Sequence, residues 1–395
     1  MNKKTIRDVD LEGKWVLVRV DYNVPLNDRG EVTDNTRIKR SLPTLKYLLE
    51  KDARIILMSH LGRPKGQVVD KYRLDPVARE LESLLGVKVK KMDAIYSPQV
   101  AAEVRNMKDR EIILLENLRF DPGEEKNDDT LARNLASLAD IYVNDAFGAA
   151  HRAHASVVGV TRYLPSVAGF LMESELKALY SLLKSPQKPF VVILGGSKVS
   201  DKLKIMNRFL EVADALLIGG GMCFTFLKAQ GYEIGRSICE EELVSYCRDV
   251  LAKGERNRVK ILLPEDLVVA DGFKEDASYA TVNVGSIPPD WMGLDIGPRT
   301  ADKFCQEITE ARTVFWNGPM GVFEWGNFEG GTRRVAEAVA QSEAYTVAGG
   351  GDTLAAIGKD GVEDRIDHIS TGGGASLELL GGESLPGVEA LEDSQ

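Results

Sequence analysis

FVVILGG at Phe190–Gly196, ALLIGGG at Ala215–Gly221, TVFWNGP at Thr313–Pro319, YTVAGGG at Tyr345–Gly351 and IDHISTGGG at Ile366–Gly374 follow one scheme. In each, a strand-like run (Phe190–Leu194, Ala215–Ile218, Thr313–Trp316, Tyr345–Ala348, Ile366–Ile369) ends in a glycine-centred turn. After every turn but the third, the chain reads as the start of a helix. Strand, turn and helix in repetition predict a parallel sheet with its turns in a row at the carboxyl ends of the strands. Glycine there lets backbone N–H groups approach an anion, and the following helix points its positive end at it. The C-terminal half therefore reads as a phosphate-holding domain.

The N-terminal half alternates strands and helices with less glycine. Strands are expected at Trp15–Val20, Arg54–Met58, Val87–Lys90, Glu111–Leu115 and Ile141–Asn144, and helices at Arg37–Glu50, Pro76–Leu85 and Thr130–Leu138, where apolar residues recur at three- and four-residue intervals. Glu173–Lys184 is an amphipathic helix closed by Ser185-Pro186, and reads as a connector between domains. The expected division is 1–172, connector 173–185, 186–378, and a tail 379–395 that is either loose or docked elsewhere on the molecule.

The chain has 395 residues, 44% apolar and 28% charged, with a net charge of −10. That length suggests more than one domain. The acidic balance argues against non-specific nucleic-acid binding, so any anion must meet a local basic cluster. Four cysteines show no metal spacing and fit buried thiols in a reducing compartment. There is no signal-peptide core and no apolar run long enough to span a bilayer, so a cytosolic protein is expected.

The N-terminal strand ends carry cations instead of glycine clusters: Arg19-Val20-Asp21-Tyr22-Asn23, Ser59-His60-Leu61-Gly62-Arg63, Asn117-Leu118-Arg119 and His151-Arg152-Ala153-His154, with Arg37 opening the first long helix. On one sheet edge, Arg37, Arg63, Arg119 and Arg152 would converge with His60, His151 and His154. Guanidinium groups match phosphate or carboxylate in two-point contact, which suggests a small, highly anionic substrate. Asp21 and Asn23 could accept from its hydroxyl. Any one arginine at a strand end, taken alone, reads as a surface ion-pair partner; the cluster points to a site because it recurs at matching topological positions. His-x-x-His could be a metal pair, although no HExxH is present.

On the nucleotide side there is no GxxxxGK[ST], and no GxGxxG at the first strand–helix turn of either half. Lys198 and Lys202 follow the Gly195-Gly196 turn four residues apart, and on a helix would share a face. They read either as phosphate contacts or as a solvated helix face. Glu324, in a structured Gly/Pro-rich loop, could accept from a ribose hydroxyl. Asp352 could cap its helix or, beside phosphates, hold Mg²⁺. A dehydrogenase lacks its fingerprint here. A non-catalytic nucleotide sensor would not need four arginines in the other half.

Eight blocks, VRVDYNVP (Val18–Pro25), SHLGRP (Ser59–Pro64), ENLRF (Glu116–Phe120), AHRAHAS (Ala150–Ser156), ILGGSKVSDK (Ile193–Lys202), WNGPMGVFE (Trp316–Glu324), GGGDT (Gly349–Thr353) and STGGGASLE (Ser370–Glu378), resemble phosphoglycerate kinases, in family order along essentially the whole chain. The resemblance implies two Rossmann-like α/β domains of doubly wound parallel sheet facing across a cleft. It also implies reversible phosphoryl transfer between 1,3-bisphosphoglycerate and ADP in glycolysis or carbon fixation, with Mg²⁺, in a cytoplasmic monomer that closes about a hinge. On the family pattern, Asp21, Tyr22, Asn23, Arg37, His60, Leu61, Gly62, Arg63, Arg119 and Arg152 meet the phosphoglycerate. Lys202, Gly297, Gly318, Glu324, Gly350, Gly351, Asp352 and Thr353 meet the nucleotide, with Asp352 on the metal side. Arg37, Lys198, Lys202 and the amides of Gly372, Gly373 and Gly374 face the transferring group, and the C-terminal segment returns to the N-terminal domain. Thr353 stands where bacterial members often have serine, and Gly381-Gly382-Glu383 replaces the usual EGK.

Such a reaction needs no general base, because both nucleophiles are already ionised at neutral pH. Alignment and charge neutralisation must supply the rate.

Overall fold

Strand β1 (Trp15–Val20) is buried along all but its first residue. It pairs in parallel with both neighbours, Val18 lying opposite Leu57 on one side and Val143 on the other. Its near-continuous apolar run is what a parallel strand covered on both faces requires. In the computed structural model, which describes residues 3–394, the chain divides into two units: residues up to Lys177 with Ser384 onward, and Ala178–Glu383.

The first unit adds β2 (Arg54–Met58), β3 (Val89–Lys91), β4 (Ile112–Leu114), β5 (Ile141–Asp145) and β6 (Ser166–Ala168), in the spatial order β3-β4-β2-β1-β5-β6, all parallel. Helix Thr36–Glu50 turns Ile38, Ser41, Thr44, Leu45, Leu48 and Leu49 inward, the three- and four-residue spacing of one face. Leu45 and Leu48 join Val18, Leu57 and Val143 in the core. Fully burying such a leucine stabilises the fold by about 1.5–3 kcal/mol. Helix Pro98–Arg105 was not expected, although its signals are local: Ser97 Oγ accepts from the Val100 N–H at 3.1 Å and proline occupies the first turn.

In the second unit the strands are β7 (Phe190–Leu194), β8 (Ala215–Ile218), β9 (Lys260–Leu262), β10 (Asp266–Ala270), β11 (Tyr279–Asn283), β12 (Met292–Ile296), β13 (Thr313–Asn317), β14 (Tyr345–Gly349) and β15 (His368–Ser370). Six form a parallel sheet in the order β15-β14-β13-β7-β8-β9, so the five glycine-ended runs are five adjacent strands. The other three form a small antiparallel sheet, β11-β10-β12, that the sequence did not announce.

The segment after Ser384 docks on the first unit. Gly387 N–H donates to Ala150 O at 2.8 Å, Glu392 N–H to Ser166 O at 3.0 Å, and Lys4 N–H to Glu392 O at 2.8 Å. Leu385, Val388 and Leu391 are buried there.

The helix Phe170–Lys184 is continuous with both units. Asp145, at the end of β5, anchors its start. One carboxylate oxygen accepts from the Leu171 N–H at 2.9 Å and the Met172 N–H at 3.3 Å. The other is buried without a partner. Burial outweighs the hydrogen bonds this carboxyl accepts, those from Met172 and Leu171 among them, and raises it to about 7 from an ordinary 3.8. A carboxyl whose folded pKa lies above its unfolded value contributes stability that is full below the unfolded pKa and lost as pH rises through the folded one. The window is therefore pH 3.8 to about 7. Asn at this position keeps the acceptor and carries no charge. Urea unfolding of Asp145→Asn should show a stability relative to wild type that increases across this window, by roughly a few kcal/mol in all, and then levels off. A pH-independent difference would contradict the assignment.

Candidate functional site

Four adjacent strands of the first unit, β4, β2, β1 and β5, deliver their following loops to one sheet edge, because parallel strands share a carboxyl end. Those loops carry Arg119, His60 to Arg63, Asp21 to Asn23, and Arg152. Arg37 enters from the first turn of helix Thr36–Glu50 and pairs with the Asp21 carboxylate. The Asp21 side chain is mostly enclosed, which opposes its charge, yet the Arg37 and Arg19 guanidinium groups, with His60 adding to them only when protonated, hold it below the usual carboxylate range. Asn23 Oδ1 accepts from the Gly62 N–H at 2.8 Å, and Arg119 donates to Gly62 O at 2.8 Å while its Nε lies 3.2 Å from Glu125. Thus Asp21, Asn23, Arg37, His60, Gly62 and Arg119 are brought together. Arg152, whose Nε donates to His151 Nε2 at 3.1 Å, sits close enough to act electrostatically on Arg119 and His154. Arg63 is exposed beside Gly62.

Two expected residues are turned away. The Tyr22 ring is fully buried, with its hydroxyl 2.8 Å from Ser41 Oγ and its N–H donating to Ser59 Oγ. The Leu61 side chain is buried too, and Asn117 bonds both its N–H (3.2 Å) and its carbonyl (2.8 Å). Asn117 also accepts from the Arg119 N–H at 3.1 Å, so this amide shapes the loop. Its position is visible in sequence but its role is not. Burial accounts for His154 as well. It lowers the ring to about 4, with Arg19, Arg119, Arg152 and His151 adding to the effect, and the nearby carboxylate is Glu124, 3.8 Å away. Among the described residues no group of three or more His, Cys, Asp or Glu side chains could hold a metal.

In the second unit the glycine turns are built differently from the expectation. The Gly195 N–H donates to Asn317 O at 3.0 Å, Gly196 to Pro319 O at 2.9 Å, Gly219 to Leu194 O at 2.9 Å and Gly220 to Met320 O at 3.0 Å. These amides knit the loops to one another and are not left open to an anion. Glycine is required there by close approach: a Cβ on Gly195 would lie 2.1 Å from Pro319 O. Gly318 combines a φ of +104° with a Cβ position 2.3 Å from Gly195 O. Its N–H donates to Thr353 Oγ1 at 2.7 Å and its carbonyl accepts from Trp316 Nε1 at 2.8 Å. Thr353 is therefore committed to holding this loop.

Lys198 and Lys202 do not share a helix face. Residues 195–199 form an irregular loop, a short 3-10 turn covers Ser200–Lys202, and the α-helix begins only at Leu203. Val199 and Ser200 direct their N–H groups at Glu240 Oε2, at 2.5 and 3.1 Å, which bends the chain early. Lys198 is left exposed. Lys202 is largely buried, with its ammonium on Asn317 Oδ1. Burial lowers it to about 8, against the pull of Asp201 and Asp352.

A cavity of about 370 Å³ opens beside these loops. Phe224, Leu267, Met292, Leu294, Met320 and Val322 give it apolar walls, and Gly196, Ser197, Glu324 and Asp352 also line it. Such a slot suits a flat heterocycle with polar groups at one end. The expectation for Gly297 needs correcting. Gly293 lines the cavity, whereas Gly297 sits at the start of helix Pro298–Glu310, where a Cβ would run into Asp266 at 2.2 Å. Asp352 lies in the first turn of helix Gly351–Asp360, and no side-chain hydrogen bond caps that helix. The N–H groups of Gly351, Asp352 and Thr353 have no partner within the helix, by position. Gly372 donates to Ser370 Oγ at 3.3 Å, and Gly373 (φ +53°) and Gly374 lead into helix Gly374–Leu380.

Compared with known proteins, the chain matches the phosphoglycerate kinase family model over residues 6–383. It is 57% identical over 393 residues to the phosphoglycerate kinase of Moorella thermoacetica and 56% identical over 395 residues to that of Rubrobacter xylanophilus, each covering 100% of both chains. Among solved structures it is similar to phosphoglycerate kinase from Coxiella burnetii (TM-score 0.91, 41% identity) and from Pyrococcus horikoshii (TM-score 0.84, 35% identity), each covering 98% of both chains.

Proposed function

This chain belongs to the phosphoglycerate kinase family, and from that premise we propose how its residues perform the reaction. It is a kinase that moves a phosphoryl group reversibly between 1,3-bisphosphoglycerate and ADP, giving 3-phosphoglycerate and ATP.

In our reading the phosphoglycerate sits on the first unit. Arg37, Arg63, Arg119 and Arg152 meet its charges, and Asp21, Asn23, His60 and the Gly62 backbone orient it; Tyr22 and Leu61 shape the loop from beneath. The nucleotide sits on the second unit. Its base lies in the apolar cavity with Gly293 in the wall, its ribose is near Glu324, and its phosphates are near Lys202, Gly318 and Gly350–Thr353. The observation that carries this is the gathering of Arg37, Arg119 and Arg152 with His60 at one sheet edge of the first unit, and of an apolar cavity with a largely buried ammonium group beside it in the other.

The attacking oxygen is a carboxylate of 3-phosphoglycerate or a terminal phosphate oxygen of ADP, already ionised. Arg37, Lys198, Lys202 and the amides of Gly372–Gly374 act by aligning and neutralising the moving PO₃ group. Mg²⁺ entering with the nucleotide would neutralise phosphate charge. The residues fit it, since Asp352 is an exposed carboxylate beside the cavity, not used as a helix cap, and Mg²⁺ is typically held by one or two carboxylates, phosphates and water.

Sites on separate units demand that the ligands be brought together and water shut out. We assign that motion to the connecting helix Phe170–Lys184 and to Ser370–Thr371. Small-angle scattering should show a smaller radius of gyration with both substrates bound than with either alone; no compaction would contradict the closure. The same reading makes the protein a cytoplasmic monomer that engages neither nucleic acid nor membrane. No helix among the described residues is long and apolar enough to cross a bilayer.

A further inference from the structure

Arg19 is the largest charged side chain fully enclosed in the protein, one residue from the carboxyl end of the central strand β1, which leads into the guanidinium cluster. Its Nε donates to Ser156 Oγ at 2.9 Å, one terminal nitrogen donates to Val20 O, and the other lies 3.0 Å from His60 Nδ1. Ser156 passes the chain of bonds on. Its hydroxyl donates to Glu124 Oε1 at 2.5 Å and its N–H to Glu124 Oε2 at 3.0 Å. Glu124 is fully buried, so the guanidinium is held in one orientation by a serine and by a carboxylate behind it.

A guanidinium has only donors. The His60 nitrogen that faces it must therefore be an acceptor. An imidazolium, or the tautomer with its proton on Nδ1, would set N–H against N–H at 3.0 Å. We infer that Arg19 is a positioning residue of the phosphoglycerate site, fixing His60 as the neutral tautomer with its proton on Nε2, so that the ring meets the anionic substrate as an uncharged donor. The substrate half of this statement rests on the site assignment above. The surroundings agree. Burial lowers the His60 ring well below its ordinary pKa. Arg19, Arg119 and Arg37 add to that, and Asp21 is the group that opposes it. Around a substrate ringed by guanidinium groups, a neutral donor contributes direction more than charge.

Histidine-¹⁵N-labelled full-length protein tests this directly through long-range ¹H–¹⁵N correlations, with the His60 signals assigned by their loss in His60→Gln. The wild-type ring should show an unprotonated Nδ1 and a protonated Nε2, unchanged as pH falls through about 6.5, the ordinary His pKa. In Arg19→Met the ring should become a mixture of tautomers. KM for 3-phosphoglycerate should rise about tenfold, the scale of one lost hydrogen bond, with KM for ATP unchanged. Arg19→Lys should restore the Nε2–H form and most of the affinity, since an ammonium group also only donates. A wild-type Nδ1 that carries a proton overturns the inference, as does an Arg19→Met ring as fully Nε2-protonated as wild type. Should Arg19→Met not fold, the wild-type spectrum decides alone. Adding 3-phosphoglycerate separates the two claims. If the His60 signals do not move, His60 does not touch the substrate, while the hold of Arg19 on its tautomer stands.

Discussion

Arg37→Ala should lower turnover by about 10²–10³, equivalent to roughly 2.7–4 kcal/mol of barrier, the loss seen when one well-placed donor to a developing charge is removed. Nucleotide affinity should stay near wild type. Three features set this expectation. Arg37 is partly exposed, so its guanidinium is available to a ligand. Its partner Asp21 is mostly enclosed and charged, which fixes the guanidinium at the sheet edge. The nucleotide cavity is lined wholly by second-unit residues, which the substitution does not touch. Steady-state kinetics with nucleotide titration measures both quantities. Unchanged turnover would remove Arg37 from the mechanism, and lost nucleotide affinity would mean the substitution damaged more than its site.

Lys202→Met should have an effect of similar size, about 10²–10³ in turnover, with a different signature in pH. The ammonium of Lys202 is largely buried and its pKa is lowered to about 8. In the free protein the cation is present below that value and lost above it. The rate at low nucleotide concentration should therefore fall as pH rises through about 8. Bound phosphates favour the charged form, so at saturating nucleotide the fall should move to higher pH. Methionine keeps the length and apolar stem of the side chain and removes the titration, so the alkaline limb assigned to Lys202 should vanish in the variant. A wild-type profile with the same limb at low and saturating nucleotide would exclude Lys202 as its origin.

The central sheets were legible because their strands are short apolar runs buried on both faces. β1, β2, β7 and β8 have the bounds their sequences suggest. What was not legible lacks that signal. β6 is three residues long, β9 begins with an exposed lysine, and β11, YATVN, is mostly exposed and shows no alternation. β3 starts at Val89, two residues later than its apolar pattern implies, because Val89 is where pairing with Ile112 begins.

Site residues were legible as positions and less so as roles. The glycines of the second unit stand at strand ends as expected, yet Gly195, Gly196, Gly219 and Gly220 have their amides bonded to neighbouring loops. Only the three-dimensional approach of Pro319 O to Gly195 shows why glycine is needed there. Gly293 and Gly297 are four residues apart on either side of LDI, and nothing local says which one faces a cavity. Asp295, between them, is buried, and its pKa is raised to about 8 by that burial. It accepts the Gly331 N–H at 2.7 Å, a partner 36 residues away that no local pattern points to. Arg19 was visible as a cation near a strand end, but its complete burial depends on Ser156 and Glu124, which come from distant parts of the chain.

Amide hydrogen exchange of the full chain, with each ligand added separately, tests most directly the placement of one substrate on each unit. 3-Phosphoglycerate alone should slow exchange at residues 21–23, 60–63 and 117–119 and leave 317–324 and 350–353 unaffected. A non-hydrolysable ATP analogue with Mg²⁺ should do the reverse. Protection of the same unit by both ligands would contradict the account.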